Sequence, residues 1–331
     1  MYAVLGASGH TGQIVAQNLL AAGQKVRVIG RSADRLQNLA AKGAEISIAD
    51  ATDGPALTKA LKGVDAAYVL VPPDVTNTNY RAYQDRVSDA IAVAVQNAGV
   101  KNVVSLSSIG ADKPSGTGPV AGLYNLEQKL NCISGINKLH LRAGYFMENV
   151  LGQVGVIRQL GSLAGPVRPH LKLPLIATRD IAGAAADALL YREFRGKQSK
   201  ELQGQRDLDY VGIASIIGKA IDKPLLGYVE ATHDQFRAAM VQMGMSANFA
   251  GLILEMADAL NSRHMQALEP RTDANTTPTS FETIVEEEFA PAWRGQLAAK
   301  GSQKLMRPWN PRSRRARDLG QISAAISSGY K

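Results

Sequence analysis

Gly6-Ala-Ser-Gly-His-Thr-Gly12 stands between an apolar stretch, Tyr2–Leu5, and a helical run, Gln13–Leu20. Glycines at such a turn let the main chain approach an anion closely, and the unpaired amides of a helix start attract negative charge. Gly6, Gly9 and Gly12 therefore point to a dinucleotide diphosphate, with an empty structural turn as the alternative. The next strand, Lys25–Ile29, ends in Gly30-Arg31-Ser32, where an acid would accept from a ribose 2′-hydroxyl. No acid stands there. Arg31, helped by Ser32 and Arg35, favours the 2′-phosphate of NADP(H), with NAD(H) as the second choice. The competing view is that Arg31 and Arg35 merely decorate a solvated helix start.

Proton chemistry is harder to find. A tyrosine acid is commonly activated by a lysine four residues later, whose ammonium lowers the phenol pKa from about 10. Tyr124 is followed at that spacing by Gln128, and Lys129 lies one residue, or roughly 100° of helix, too far. Tyr124 is thus either a neutral hydrogen-bond donor to substrate or an ordinary helix residue. The five histidines, His10, His140, His170, His233 and His264, show no paired metal-ligand spacing, and no metal is expected. Ser107-Ser108 lacks the Gly-x-Ser-x-Gly setting of a nucleophile. Cys132, in the apolar run Leu130–Ile133, reads as space-filling. Arg142 and Arg179-Asp180 read as ties between a lobe and the sheet.

These residues need strands that alternate with helices. The pattern predicts helix at Ala33–Lys42, strand at Ala44–Ala49, helix at Ala56–Leu61 and strand at Ala66–Val71, which stops at Pro72-Pro73. A long helix over Tyr80–Ala98, strand Asn102–Ser107, helix Val120–Cys132 and strand Lys138–Arg142 follow. The result is α/β: a six-strand doubly wound parallel sheet with its ligand crevice at the carboxyl ends of the strands. Beyond Asn149 the elements shorten: Leu173–Ala177, an Ala-rich helix opened by Arg179–Ile181, helix Val211–Ile221, and two helices within His233–Leu260. Glu201–Gln203 is a candidate for a strand returning to the sheet. The expected organisation is a nucleotide-binding domain over 1–150, a smaller, mostly helical substrate lobe over 151–293, and a basic, flexible tail over 294–331.

Composition bounds the rest. The 331 residues are 45% apolar, enough for a sizeable core. The formal charge of +8 arises in one place, since nine Lys or Arg face Asp318 alone from Arg294 onward, leaving 28 basic and 28 acidic residues before it. The body is neutral, and no specific nucleic acid partner is predicted. The chain starts directly with a strand and has no apolar run long enough to span a bilayer, so no membrane span and a cytoplasmic location are expected.

Taken together, Gly6–Gly12, Val71-Pro72-Pro73, Ser107–Ala111 and Leu141–Asn149 resemble the NmrA-like branch of the atypical short-chain dehydrogenase/reductases, from Met1 to about Trp293. Ala177–Ile181 and Thr277–Phe281 extend the match. The resemblance implies a Rossmann-type domain with a small substrate lobe and NADP(H) or NAD(H) binding. By position it also implies that Ser8, His10 and Thr11 line the diphosphate, Arg31 the adenosine phosphate, and Asp50-Ala51 the adenine. Val71 and Pro72 border the ribose beside the nicotinamide, Pro73 is a further cofactor-binding position, and Ser107, Tyr145, Phe146 and Asn149 approach the nicotinamide or substrate. Such relatives often carry Lys or His one turn before the residue matching Glu127, where this chain has Leu123 and Tyr124.

Two functions follow. One is an NADPH-dependent reductase of a small quinone or carbonyl compound, which needs little proton assistance because the reduced oxygen can take its proton from water. The other is a non-catalytic NADP(H) redox sensor that regulates a protein partner.

Overall fold

Strand β1 (Tyr2–Leu5) sends Ala3 and Leu5 into one hydrophobic cluster and Tyr2 and Val4 into another. Successive strand side chains point to opposite faces, so a strand apolar at every position must be covered on both. The computed structural model describes residues 1–296, and Met1–Gly295 forms one compact unit. After β1 come α1 (His10–Ala21), β2 (Val26–Gly30), α2 (Gln37–Ala40), β3 (Glu45–Ile48), α3 (Gly54–Leu61), β4 (Ala66–Val69), α4 (Tyr80–Ala98), β5 (Asn102–Ser108), α5 (Val120–Asn131) and β6 (Asn137–Ala143). Local chemistry sets their ends. Asp53 accepts from the Ala56 amide to start α3, Asn79 accepts from the Ala82 amide to start α4, and Gly99, at φ 71°, closes α4 in the left-handed conformation.

Continuing, β7 (Tyr145–Phe146), α6 (Gln153–Leu160), β8 (Leu163–Gly165), β9 (Leu173–Ile176), α7 (Thr178–Tyr191) and β10 (Lys197–Leu202) lead to β11 (Asp207–Leu208), α8 (Tyr210–Ala220) and β12 (Tyr228–Glu230). The last helices are α9 (His233–Gln242), α10 (Ala247–Asn261), α11 (Phe281–Ile284) and α12 (Ala290–Trp293). The main sheet runs β10-β6-β5-β4-β1-β2-β3, and every pairing in it is parallel. This is a Rossmann-type α/β sheet with a smaller carboxyl-terminal region.

Three expectations change. The sheet has seven strands, because β10 begins at Lys197 and pairs with β6, while Gln203 forms only an isolated bridge to Thr276. Its first four residues are polar and exposed, as suits an edge strand, so apolar patterning could not reveal it. The helix expected over Ala33–Lys42 is a 3-10 turn followed by the four-residue α2. Cys132 is exposed at the end of α5 and fills no core.

The lobe is not wholly separate from the sheet. Helix α7 packs into the cluster over α1, and β10 belongs to the sheet, although both lie beyond residue 150. Helix α10 places Phe249, Ala250 and Leu252 in the cluster under α4, and Ala257, Ala259 and Leu260 in the lobe's own core. The lobe also carries two small sheets, β11-β9-β7 and β12-β8. The basic tail lies outside the described residues.

One buried histidine links this packing to pH. His140 Nδ1 lies 2.7 Å from Ser105 Oγ, and Nε2 lies 3.1 Å from Asn131 Oδ1. An amide oxygen only accepts, so Nε2 carries the proton and Nδ1 accepts from the serine. Burial, reinforced by Arg142 and Lys138 and opposed by Glu127, pushes the imidazole down to about 4. Between the unfolded value of about 6.5 and the folded value, the unfolded chain binds more protons, so stability falls as pH falls through that window. The slope from this group is at most about 1.4 kcal/mol per pH unit. Urea unfolding between pH 7 and pH 4.5 should show a shallower loss in His140→Gln than in the parent; equal slopes would assign the acid sensitivity elsewhere.

Candidate functional site

The turn after β1 is shaped by contacts that exclude side chains. Gly6 adopts φ +69°, and a Cβ at Gly12 would lie 2.4 Å from the Gly6 carbonyl oxygen. Glycine at both positions lets α1 start directly against the strand end. Helix α1 begins at Gly9 with no side-chain cap and no acid in its first turn. Its first amides therefore remain available to an anion. Tyr68, fully buried in β4, donates its hydroxyl to Thr11 Oγ1 at 3.1 Å. The Thr11 hydroxyl keeps its own proton for a ligand oxygen.

This turn forms one end of a cleft of about 1240 Å³. Gly6, Ser8, Gly9, His10, Thr11, Arg31 and Arg35 line that end; Val71, Pro72 and Pro73 follow at the end of β4, and Ser107 at the end of β5. Tyr145, Phe146 and Asn149 line it from the segment after β6. The cleft thus opens at the carboxyl ends of the parallel strands, where the doubly wound topology leaves a crevice. Arg35 donates to the Ser8 carbonyl at 3.4 Å, and Arg31 makes no ion pair among the described residues.

Five proposed site residues do not line the cleft: Gly12, Ser32, Asp50, Ala51 and Tyr124. Gly12 acts beneath it, through the close approach to Gly6. Asp50 accepts from the Thr52 amide at 2.8 Å and hydroxyl at 2.6 Å, which holds its carboxyl below the usual range. Both bonds fall on Oδ1. Ala51 is buried in the core beneath the sheet edge. Tyr124 is half-buried on α5, whereas its neighbour Leu123 lines the cleft. One residue of helix rotation separates the two. Lys129 points to α4, where its Nζ lies 2.6 Å from Asp89 Oδ1 and 3.2 Å from the Asp85 carbonyl.

Beneath the cleft floor lies a charged network. Ser107 donates to Glu127 Oε1 at 2.5 Å, and Arg142 grips the same carboxylate through Nε at 3.0 Å and Nη2 at 2.6 Å. Hydrogen bonding to Glu127 holds the Arg142 guanidinium above its ordinary range. Arg142 therefore ties β6 to α5 within the sheet domain and does not reach the lobe. The sheet-to-lobe tie is made by α7: Arg179 pairs with Glu287 at 2.6 Å and Glu288 at 3.4 Å, and Asp180 accepts from Thr279.

Sequence reading missed the other half of the cleft. Phe249, Ile253, Met256 and Leu260 line it from α10, with Leu123, Leu171 and Met265 adding apolar surface, and His170, Lys172 and Arg263 adding polar atoms. Glu148, also lining it, accepts from the Thr178 amide and hydroxyl through Oε1, and burial raises its carboxyl. Its Oε2 is buried without a partner. Periodicity could have marked α10 as amphipathic, but nothing local said which face would meet the crevice. Among the described residues no His, Cys, Asp and Glu cluster suits a metal ion, and no helix is long and apolar enough to cross a membrane.

Residues 2–287 match the NmrA-like family. The chain belongs to that family. It is 30% identical over 272 residues to an NAD(P)H azoreductase from Xenophilus azovorans, covering 82% of this chain and 87% of the relative. It is 29% identical over 259 residues to quinone oxidoreductase 2 of Escherichia coli strain K12, covering 77% and 86%. The solved NADPH-dependent quinone oxidoreductase of Escherichia coli, complexed with NADPH, superposes with a TM-score of 0.71 at 24% identity over 87% of this chain and all of its own. Triphenylmethane reductase of Citrobacter sp., complexed with NADP(H), gives 0.71 at 20% identity over 86% and 99%. These structural likenesses establish the shared fold.

The glycine cradle and uncapped helix fit a dinucleotide diphosphate. Gly12→Ala should weaken NADPH and NADH alike by roughly tenfold or more, because overpacking typically costs about 1–3 kcal/mol and moves the turn beneath both. Calorimetric titration of the folded variant checks this; unchanged affinity would show that the turn does not carry the nucleotide.

Proposed function

We propose that this NmrA-like protein is an NADPH-dependent reductase of small quinones and related carbonyl acceptors. The observation that carries this reading is the continuity of one cleft, from the uncapped glycine turn with Arg31 at one end to the apolar wall of α10 at the other. Two curated relatives near 30% identity, one named for NAD(P)H-dependent azo reduction and one for quinone oxidoreduction, support it.

The residues divide the work. The amides of the α1 start and the Thr11 hydroxyl bind the diphosphate, while Arg31 and Arg35 select the adenosine phosphate. Val71, Pro72 and Pro73 border the ribose. Ser107 stays fixed by Glu127 and Arg142, and Tyr145, Phe146 and Asn149 confine the acceptor. A bound reduced nicotinamide supplies hydride. The protein's share is orientation and exclusion of water from a largely apolar site. With Tyr124 outside the cleft lining and Lys129 engaged on α4, no tyrosine-lysine pair assists protonation, which suits acceptors whose reduced oxygen takes its proton from water.

That same absence favours a second reading, a redox sensor that holds NADP(H) without turnover and changes its grip on a protein partner. Linkage requires the partner's affinity to depend on nucleotide. Acceptor-dependent oxidation of NADPH across a panel of quinones separates the two, and its complete absence would leave the sensor.

Cofactor choice rests on Arg31. Arg31→Ala removes a charge-assisted clamp worth about 1.5–3 kcal/mol, so NADPH affinity should fall at least about tenfold while NADH affinity stays within about twofold. Parallel titrations with both nucleotides give the answer, and equal losses would remove Arg31 from phosphate selection.

A further inference from the structure

The cleft is lined by two acids, Glu148 and Asp207, and only one of them is neutralised. Asp207 pairs with Arg271, whereas Glu148 has no ion-pair partner among the described residues. Glu148 sits in the 3-10 turn Met147–Gly152, directly after β7, and its neighbours Phe146 and Asn149 line the same cleft. On its other side is the start of α7. Thr178, itself a cleft-lining residue, donates its amide at 2.8 Å and its hydroxyl at 2.6 Å to a single oxygen, Oε1. Oε2 is buried and receives no hydrogen bond.

The two oxygens of this carboxyl therefore differ in kind. Ionised, the group would leave a buried oxygen with neither a donor nor a cation beside it, which costs far more than a neutral group in the same place. A proton removes that charge, and it has one place to sit. Oε1 is taken by two donors, so the proton belongs on Oε2, where it turns an orphaned acceptor into a hydroxyl donor. Burial pushes the carboxyl up and Glu288 adds to it, against the pull of the Thr178 bonds and of the Glu148 backbone amide. Glu288 is itself held by Arg179. The other titratable or charged groups lining this half of the cleft are Tyr145, His170, Lys172, Asp207 and Arg263.

We propose that Glu148 is the proton donor of the reduction, passing the proton on Oε2 to the oxygen of the reduced acceptor. This deepens the reductase reading and rests on it. A quinone that gains a hydride from bound NADPH becomes a hydroquinone anion as the nicotinamide is oxidised. The Oε2–H bond then breaks, its electron pair stays on the carboxylate, and a new O–H bond forms on the anion's oxygen. Solvent returns a proton to Oε2, so water remains the ultimate source and Glu148 is the relay. Burial suits a carboxyl to that role, because a raised pKa keeps its proton in place nearer to working pH.

Glu148→Gln keeps an oxygen for Thr178 and removes the transferable proton. With menadione as acceptor, its kcat should fall at least about tenfold while KM for menadione stays within about twofold. The parent's kcat should decline as pH rises from about 6 to about 9, since a deprotonated carboxyl has nothing to give, and the variant should lose that limb with His170 and Lys172 still in place. Thr178→Val removes a bond that favours the charged form, so it should move the limb to higher pH, whereas Thr178→Ser should leave it in place. In the nucleotide-free protein, an infrared difference spectrum of parent minus Glu148→Gln should show a protonated carboxyl band at neutral pH that disappears as pH rises. An unchanged kcat in Glu148→Gln, a limb that Thr178→Val does not move, or the lack of that band at neutral pH overturns the relay. Where the parent still oxidises NADPH with menadione, the reductase reading survives that outcome. If the parent oxidises no NADPH with menadione or any other quinone, both fall together.

Discussion

The contact between the start of α1 and the end of β1 governs the rest of the molecule. A Cβ at Gly12 would meet the Gly6 oxygen at 2.4 Å, so the helix lies closer to the strand than any side chain would permit. From that approach follow the direction of α1 across the sheet, the exposure of its first amides at the strand ends, and the placement of Thr11 within reach of Tyr68. The crevice exists because the parallel strands around β1 all end on the same side. The turn gives that crevice a positive end, since partial charge at an uncapped helix start is not neutralised by any first-turn acid.

Much of this was legible in the residues because it rests on local patterns. Continuous apolar runs such as Ala66–Val69 mark central strands, the glycine spacing marks the turn, and the absence of an acid after β2 marks Arg31. Contacts between distant segments were not legible. Nothing near Lys197 announces an edge strand, because its side chains are exposed and polar; its place is decided by β6 and by the crossover through α7. Tyr124 shows the converse. Its type suits proton transfer, yet helical phase decides access, and Leu123 takes the cleft-facing position. Asp50 engages its own neighbour, Thr52, through Oδ1, a local turn contact that residue type alone did not distinguish from a ligand role.

The lobe half of the cleft depends on a helix that serves two cores. One set of α10 side chains joins the cluster under α4 and another joins the lobe's own cluster, and the stripe facing the crevice, Phe249, Ile253, Met256 and Leu260, is drawn from both. A helix held on both sides has little freedom to turn, so the stripe keeps its phase. On the proposed reading that rigidity matters, because hydride delivery depends on the distance and angle at which the acceptor is held.

The two halves of the cleft also differ in how they use charge. At the turn, positive character comes from main-chain amides and arginines close to where phosphates would sit, and it serves binding. Beneath the floor, the Glu127 carboxylate is consumed by Ser107 and Arg142 and offers no base to a ligand. Glu148 is occupied through one oxygen only: Oε1 accepts twice from Thr178, and Oε2 has no partner. Glu127 is thus spent on holding the scaffold, while Glu148 keeps one carboxyl oxygen buried and unpartnered, so the surface left to a ligand is largely apolar, with cationic residues and that one acid. Such a surface lowers the cost of placing an electron-poor, flat acceptor against a reduced nicotinamide and gives little help to reactions that need a strong acid or base. The distribution of satisfied and unsatisfied charge, more than any single residue, sets what a ligand in the crevice meets: amides and arginines at the turn, an apolar wall on α10, and the unpartnered oxygen of Glu148.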